Sequence, residues 1–257
     1  MKFLQSLSAQ VSLFTQGAIL ALGVVFILLD VITESLNPVI DLAWVTVLVC
    51  GLPLLINSVQ SIWERLEIHA NFLIVVAMVA LISIGDYHTA AYVGLIVQAG
   101  FFLEQLITGE SHYTVDDDML PTMPAQLVAM RQGINNYSSV IVVAVLLLSM
   151  GSFALTQDFK HTVTLLLVLC PCSLELILVA LMMGSLVDDA SPVSELSKGT
   201  KQSHLGLLIV SIVFHVAIIC VGVLGLIDPV TAVALHGLAR LGLVYNLKVL
   251  NSSLCIA

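Results

Sequence analysis

The sequence Cys170-Pro171-Cys172 lies in the middle of an apolar segment that begins near Thr162. Proline has no backbone N–H and interrupts the hydrogen bonds of a helix, so backbone carbonyl groups are freed beside two thiols. Thiolates are ligands that copper, zinc and related transition metals prefer. The pattern therefore predicts a metal-ion site inside an apolar segment, although buried cysteine also occurs as a small apolar side chain.

The composition indicates that membrane helices position this motif. Hydrophobic residues make up 59% of the chain, charged residues only 10%, and the mean hydropathy is +1.09. Windows of roughly 17–25 apolar residues suit a helix that crosses a bilayer. The sequence predicts an all-α integral membrane protein of about eight transmembrane helices, of which the third is the shortest. The windows are 11–32, 42–62, 70–84, 89–107, 138–155, 162–183, 204–226 and 229–250.

Ionisable residues inside these windows are candidates for function. Glu175 follows Cys172 by three residues, about one helical turn further along on a similar face. An ionised side chain there costs roughly 2.5–3.5 kcal/mol on insertion scales, so Glu175 is predicted to be a ligand, a proton carrier or a salt-bridge member. His215 lies in the seventh window, where a hydrogen bond to a neighbouring helix is the simpler interpretation. Arg240 falls within the last window.

The distribution of cations predicts the orientation of the chain. If the N-terminus is cytoplasmic, only Lys160 lies in an outer loop, and both termini are cytoplasmic. All other cations except Arg240 are then on the inner side: Lys2, Arg65, Arg131, Lys198, Lys201 and Lys248. We expect a multi-pass protein of the cell (inner, cytoplasmic) membrane. The net charge of -9 argues against nucleic acid as a partner.

The connections predict a single membrane domain over residues 1–257. Only the stretches 108–137 and 184–203 are long, and neither is large enough for a separate catalytic domain. The domain divides into two leading helices, 1–68, and a six-helix core with Cys-Pro-Cys, 69–257. Pro53 predicts a kink in the second helix, followed by an amphipathic piece from Asn57. No fixed-period repeat is present.

The arrangement resembles the membrane domain of the heavy-metal-transporting P1B-type ATPases, which carries Cys-Pro-Cys in its sixth span. Three further segments are similar to that family: Phe102-Leu103-Glu104, residues 119–133, and residues 235–248. The resemblance implies that Glu104 lies where the ion enters from the cytoplasm. It also implies that His236 stands where members of the family carry a metal-selective residue.

The chain lacks the catalytic parts of that family. No Asp-Lys-Thr-Gly-Thr phosphorylation motif is present, and the insert that would hold it has shrunk to 184–203. Thr108-Gly109-Glu110-Ser111 spells the family's dephosphorylation motif, but it directly follows the fourth window instead of lying inside an actuator domain. We therefore predict that the chain is not an enzyme and binds no nucleotide.

The predicted metal-site residues are Cys170, Cys172, Glu175, His236 and Glu104. They imply one transition-metal ion, with copper or zinc favoured and nickel or cobalt compatible with the imidazole and carboxylate. The predicted function is a non-catalytic subunit or scaffold of a membrane complex. The alternatives are a passive or partner-driven metal conduit that supplies a metalloenzyme, and a split pump with its catalytic domains on another chain. The predicted partners are the lipid bilayer, other membrane subunits and a metal donor or acceptor protein.

Overall fold

A computed structural model of the protein describes residues 13–34, 42–65, 71–108, 125–171 and 196–255. All regular secondary structure in these ranges is helical, which confirms the predicted all-α class. The helices are α1 (Leu13–Glu34), α2 (Ala43–Arg65), α3 (Asn71–Ser83), α4 (Tyr87–Thr108), α5 (Ala125–Thr156), α6 (Phe159–Val168), α7 (Leu196–Val223) and α8 (Pro229–Cys255).

Four of these helices are long and apolar enough to cross a bilayer: Phe14–Ile32, Ala43–Trp63, Tyr87–Ile107 and Tyr137–Thr156. Only 17–28% of the residues in each of these windows are fully buried inside the protein, and several large apolar side chains, among them Leu28, Leu48 and Val140, are exposed. A soluble monomer rarely exposes apolar patches of this extent. The described helices are therefore compatible with a membrane protein whose outer surface is covered by lipid.

Two helices extend into stretches that the sequence analysis treated as connections. Helix α5 begins at Ala125, inside the predicted 108–137 connection, and α7 begins at Leu196, inside the predicted 184–203 connection. The first turns of α5 contain alanine, glutamine, leucine and methionine, which are strong helix formers although the segment is not uniformly apolar. Hydropathy windows follow the apolar part of a helix and miss such polar extensions.

Helix α2 continues through Pro53 to Arg65 as one element. The amphipathic piece expected from Asn57 onward forms its C-terminal part. Leu54 and Ser58 are buried on one face, whereas Val59 and Trp63 are exposed on another. Each pair is four residues apart, as two separate faces of a helix require.

Helices α4 and α6 occupy the centre of the bundle. Helix α4 contacts α1, α2, α3 and α8, and α6 contacts α3, α5, α7 and α8. All six residues from Val163 to Val168 of α6 are buried. A helix that is apolar on every side is typical of such a central position. Cys170 and Pro171, which follow α6, are likewise buried in the interior of the protein.

A glycine on α7 allows that helix to lie directly against α6. A Cβ atom added to Gly222 would lie 3.0 Å from a side-chain carbon of Val168. Small residues that permit close backbone approach are common where membrane helices pack. Helix α7 is therefore held next to the end of α6, from which Cys170 follows.

Three aspartates lie at the start of α4, α6 and α8, and we call this the capped end of the bundle. The carboxylates of Asp86, Asp158 and Asp228 each accept a hydrogen bond from a backbone N–H two or three residues further along, and the shortest such bond of each aspartate is 2.9–3.2 Å. This is the geometry of a helix N-cap. Lys160 interacts electrostatically with all three aspartates, so α4, α6 and α8 start at one common end.

An ion pair connects the start of α6 with the start of α4 at the capped end. The Nζ atom of Lys160 lies 2.9 Å from Oδ2 of Asp86. Burial raises the pKa of Asp86, but hydrogen bonds from Lys160 and Thr89 outweigh this effect and leave that pKa below its ordinary value. The same hydrogen bond with Asp86 raises the pKa of Lys160. Both groups are therefore held in their charged forms over a wide pH range.

Candidate metal site after the sixth helix

Helix α6 ends where the Cys-Pro-Cys motif begins. The last helical residue is Val168, and the N–H of the C-cap residue Leu169 still donates to the carbonyl of Leu165 at 3.0 Å. Cys170 is outside the helix, and Pro171 lies in a turn. The residue before a proline disfavours helical dihedral angles, and proline itself has no N–H to donate. The predicted break in the helical hydrogen bonding is confirmed.

Cys170 is only 4% exposed and lines a partly open cavity of about 40 Å³. Most of the wall is apolar, and the side chains with polar or sulfur atoms are Cys170, His236 and Arg240. The space is sufficient for one ion or for two or three water molecules. The lining residues are Ile74, Ile96, Val97, Gly100, Phe101, Leu167, Cys170, Val233, His236, Gly237, Arg240 and Leu241.

Helix α8 supplies both polar nitrogen groups of this wall. His236 is 6% exposed, and Arg240 is one turn further along the same face. This face packs against α4, which presents Gly100 and Phe101 to the cavity. The contact between α4 and α8 therefore sets the position of His236 relative to Cys170.

Glu104 of α4 pairs with Arg240 at the edge of the cavity. The Nη2 atom of Arg240 lies 2.9 Å from Oε2 of Glu104, and the two side chains are 21% and 15% exposed. The guanidinium carbon also lies 5.2 Å from the ring centre of Phe101. Glu104 is thus one member of an ion pair in the described structure.

The pairing of Arg240 with Glu104 was not predicted from the sequence, although a signal was present. Arg240 and Glu104 are both charged residues inside predicted spans, and such residues almost always pair with one another or face a cavity. Oppositely charged residues in two different spans predict a contact between those spans. The sequence alone, however, does not show that α4 and α8 are neighbours.

His215 of α7 lies beside His236. The two ring centres are 5.5 Å apart, and the ring planes meet at 83°. The Nδ1 atom of His215 is 2.9 Å from the carbonyl oxygen of Ser211, one turn earlier in the same helix. This hydrogen bond lies within α7.

The structure brings together part of the predicted site. Cys170 and His236 line the same cavity, and Glu104 is linked to that cavity through Arg240. Cys172 and Glu175 lie outside the described residues. Among the described residues no three histidine, cysteine, aspartate or glutamate side chains are already clustered around one point. A thiol and an imidazole on one cavity wall nevertheless fit the donor preference of zinc and copper.

No known protein family, curated protein or solved structure matches the chain. The resemblance to the P1B-type ATPases therefore rests on the motifs and their order along the chain.

Proposed function

We propose that the chain is a non-catalytic membrane protein resembling the membrane domain of the P1B-type metal ATPases. It acts as a subunit or scaffold of a membrane complex and holds one transition-metal ion at Cys-Pro-Cys. One observation carries the proposal: Cys170, which follows α6, is buried and lines a partly open cavity that His236 also lines.

Charge balance supports a metal ion in this cavity. A divalent ion with the thiolates of Cys170 and Cys172 is neutral overall, and a neutral group can be held in apolar surroundings at little cost. His236 would add a neutral nitrogen ligand without changing that balance. Zinc, or another borderline divalent ion, therefore suits the donors better than a hard cation such as magnesium.

The proposal of a subunit without catalytic activity follows from the sequence. The phosphorylation motif of the resembling family is missing, and no connection in the chain is long enough to hold its nucleotide-binding domain. Without these parts the chain has no means of coupling ATP hydrolysis to ion movement. Metal held in such a chain is available to structure a complex or to be passed to a partner protein.

A metal conduit is the second candidate. It is favoured by a row of polar side chains that leads from Cys170 through His236 and Arg240 to Glu104, near the C-terminal end of α4. Polar and ionisable side chains inside membrane bundles commonly mark ion pathways. A conduit would need the Arg240–Glu104 pair to open as the ion passes.

Metal content tests the proposed site. Detergent-purified protein is loaded with zinc or with Cu(I), washed, and analysed by mass spectrometry beside the double variant Cys170→Ser, Cys172→Ser. Cys220→Ser is the matched control, because Cys220 is an exposed thiol on α7. We expect about one ion per chain in wild type and control, and loss in the double variant. Equal metal content in all three proteins, or none in any, would refute a Cys-Pro-Cys site.

A flux assay separates the two candidate functions. Proteoliposomes that contain a zinc-sensitive dye are prepared with wild type and with the double cysteine variant. A subunit that only holds metal gives no flux above that of empty vesicles. A conduit gives flux in wild type that the double variant loses.

A further inference from the structure

The paired histidines of α7 and α8 add a ligand that the Cys-Pro-Cys motif does not provide. We propose that His215 and His236 bind one borderline divalent metal ion, such as Zn²⁺, Co²⁺ or Ni²⁺, between α7 and α8. The inference rests on the proposed metal site and extends it, because it assigns a ligand to a third helix and selects the class of ion.

The distance between the rings fits a shared ion. A zinc–nitrogen bond of about 2.0–2.1 Å places the centre of an imidazole ring roughly 3.2 Å from the metal, so two imidazoles at a tetrahedral angle have ring centres about 5.2 Å apart. The observed separation of His215 and His236 is 5.5 Å. The separation of the two ring centres is therefore compatible with two imidazoles that share one ion.

The hydrogen bond to Ser211 prepares His215 for this role. A backbone carbonyl oxygen only accepts, so the Nδ1 atom of His215, 2.9 Å from it, carries the proton. In the neutral ring the lone pair is then on Nε2, which is the form that binds a metal. Histidines that ligate metals usually donate their other N–H to a carbonyl or carboxylate in this way.

Burial and neighbours support an ion here. His215 and His236 are 7% and 6% exposed, so both rings are withdrawn from solvent on adjacent helices. His236 also lines the cavity of Cys170, which makes a thiolate the nearest further donor on that wall. Two imidazoles with thiolate suit zinc, cobalt and nickel, whereas Cu(I) is satisfied by the thiolates alone.

Two aromatic rings can also pack edge to face without any ion, at ring-centre separations of 4.5–7 Å. A substitution that keeps a ring but removes the nitrogens separates this packing role from a ligand role. His215→Phe does so. His161→Phe is the control, because His161 lies at the capped end, away from the cavity.

The full chain in detergent is titrated with Co²⁺, whose absorption spectrum reports tetrahedral coordination and sulfur ligation. We expect His215→Phe to weaken Co²⁺ binding at least about tenfold, as loss of a ligand or its support commonly does. His161→Phe should bind as wild type does. His215→Cys should restore affinity and increase the sulfur-to-cobalt absorption. Unchanged affinity in His215→Phe would overturn the inference.

Two comparisons keep this inference distinct from the proposed function. Binding that is lost in Cys170→Ser, Cys172→Ser but retained in His215→Phe overturns the histidine ligand and leaves the Cys-Pro-Cys site standing. Binding that survives in the double cysteine variant but is lost in His215→Phe supports the histidine ligand and overturns the Cys-Pro-Cys site. Absence of binding in wild type overturns both.

A second measurement does not depend on the folding of His215→Phe. The wild-type protein is loaded with Zn²⁺ and its zinc X-ray absorption spectrum is recorded. Scattering from imidazole rings in that spectrum counts the bound histidines. Two bound histidines support the inference, and one or none overturns it.

Discussion

The ion pair between Arg240 and Glu104 should stabilise the protein far more than the pair between Lys160 and Asp86. Both pairs have a nitrogen–oxygen distance of 2.9 Å. Their surroundings differ, because the side chains of Arg240 and Glu104 are 21% and 15% exposed, whereas that of Lys160 is 63% exposed. The chain therefore contains two pairs of equal length that differ mainly in burial.

Burial determines how large the coupling energy of each ion pair should be. Two unit charges about 4 Å apart interact with about 4 kcal/mol at an effective dielectric constant of 20 and with about 1 kcal/mol in water. Removing one partner of a buried pair typically costs about 3–5 kcal/mol, since the other charge is left without its counter-ion. Exposed pairs contribute roughly 0–1 kcal/mol. We expect coupling energies of about 2–4 kcal/mol for Arg240–Glu104 and below about 1 kcal/mol for Lys160–Asp86.

Two double-mutant cycles measure these energies. The first uses Glu104→Gln, Arg240→Met and the double variant, and the second uses Asp86→Asn, Lys160→Met and the double variant. The free energy of unfolding of each protein in detergent is obtained from denaturant titration. In the first cycle the double variant should be more stable than either single variant, because neither charge is left alone. Equal coupling energies in the two cycles would refute the argument from burial.

Two further predictions concern the capped end. Asp228→Ala should lower the free energy of unfolding by about 1 kcal/mol, because it removes the N-cap of α8, and thermal unfolding beside Asp228→Asn, which keeps a capping oxygen, measures this. The pKa of Asp86 is lowered in the folded protein, so its stabilising effect is full above about pH 4 and is lost as pH falls through the folded pKa. The pKa of Lys160 is raised, so its effect is full below about pH 10 and is lost as pH rises further. The difference in unfolding free energy between wild type and Lys160→Met should therefore not change with pH between these limits. A slope in this difference near pH 7 would contradict the prediction.

Local sequence signals predicted much of the fold correctly. The hydropathy windows overlap all eight helices that the structure describes, and Pro171 predicted the break in hydrogen bonding that follows α6, although the sixth window was expected to run to residue 183. The capped end was also open to prediction, since aspartate precedes α4, α6 and α8 and threonine follows Asp86 and Asp228 by three residues. These features depend on neighbouring residues in the chain, which is why sequence reveals them.

The candidate site was less accessible to sequence reasoning because it depends on which helices are neighbours. Cys170 and His236 are 66 positions apart in the chain but line one cavity. The contact of His215 with His236 and that of Glu104 with Arg240 each join different helices. The spacing of apolar residues indicates which face of a helix is apolar, but it does not indicate which other helix that face contacts.

The position of Arg240 bears on the choice between holding and conducting an ion. A cation that moves from Glu104 to Cys170 must pass the guanidinium group that lines the same cavity. A divalent ion about 4 Å from a unit positive charge is repelled by about 8 kcal/mol at an effective dielectric constant of 20, unless Glu104 remains close enough to offset the repulsion. Glu104 cannot both neutralise Arg240 and release it for passage. The closed Arg240–Glu104 ion pair therefore favours an ion that stays at Cys170 and His236 over an ion that passes through. For this reason we prefer the role of a metal-holding subunit to that of a metal conduit.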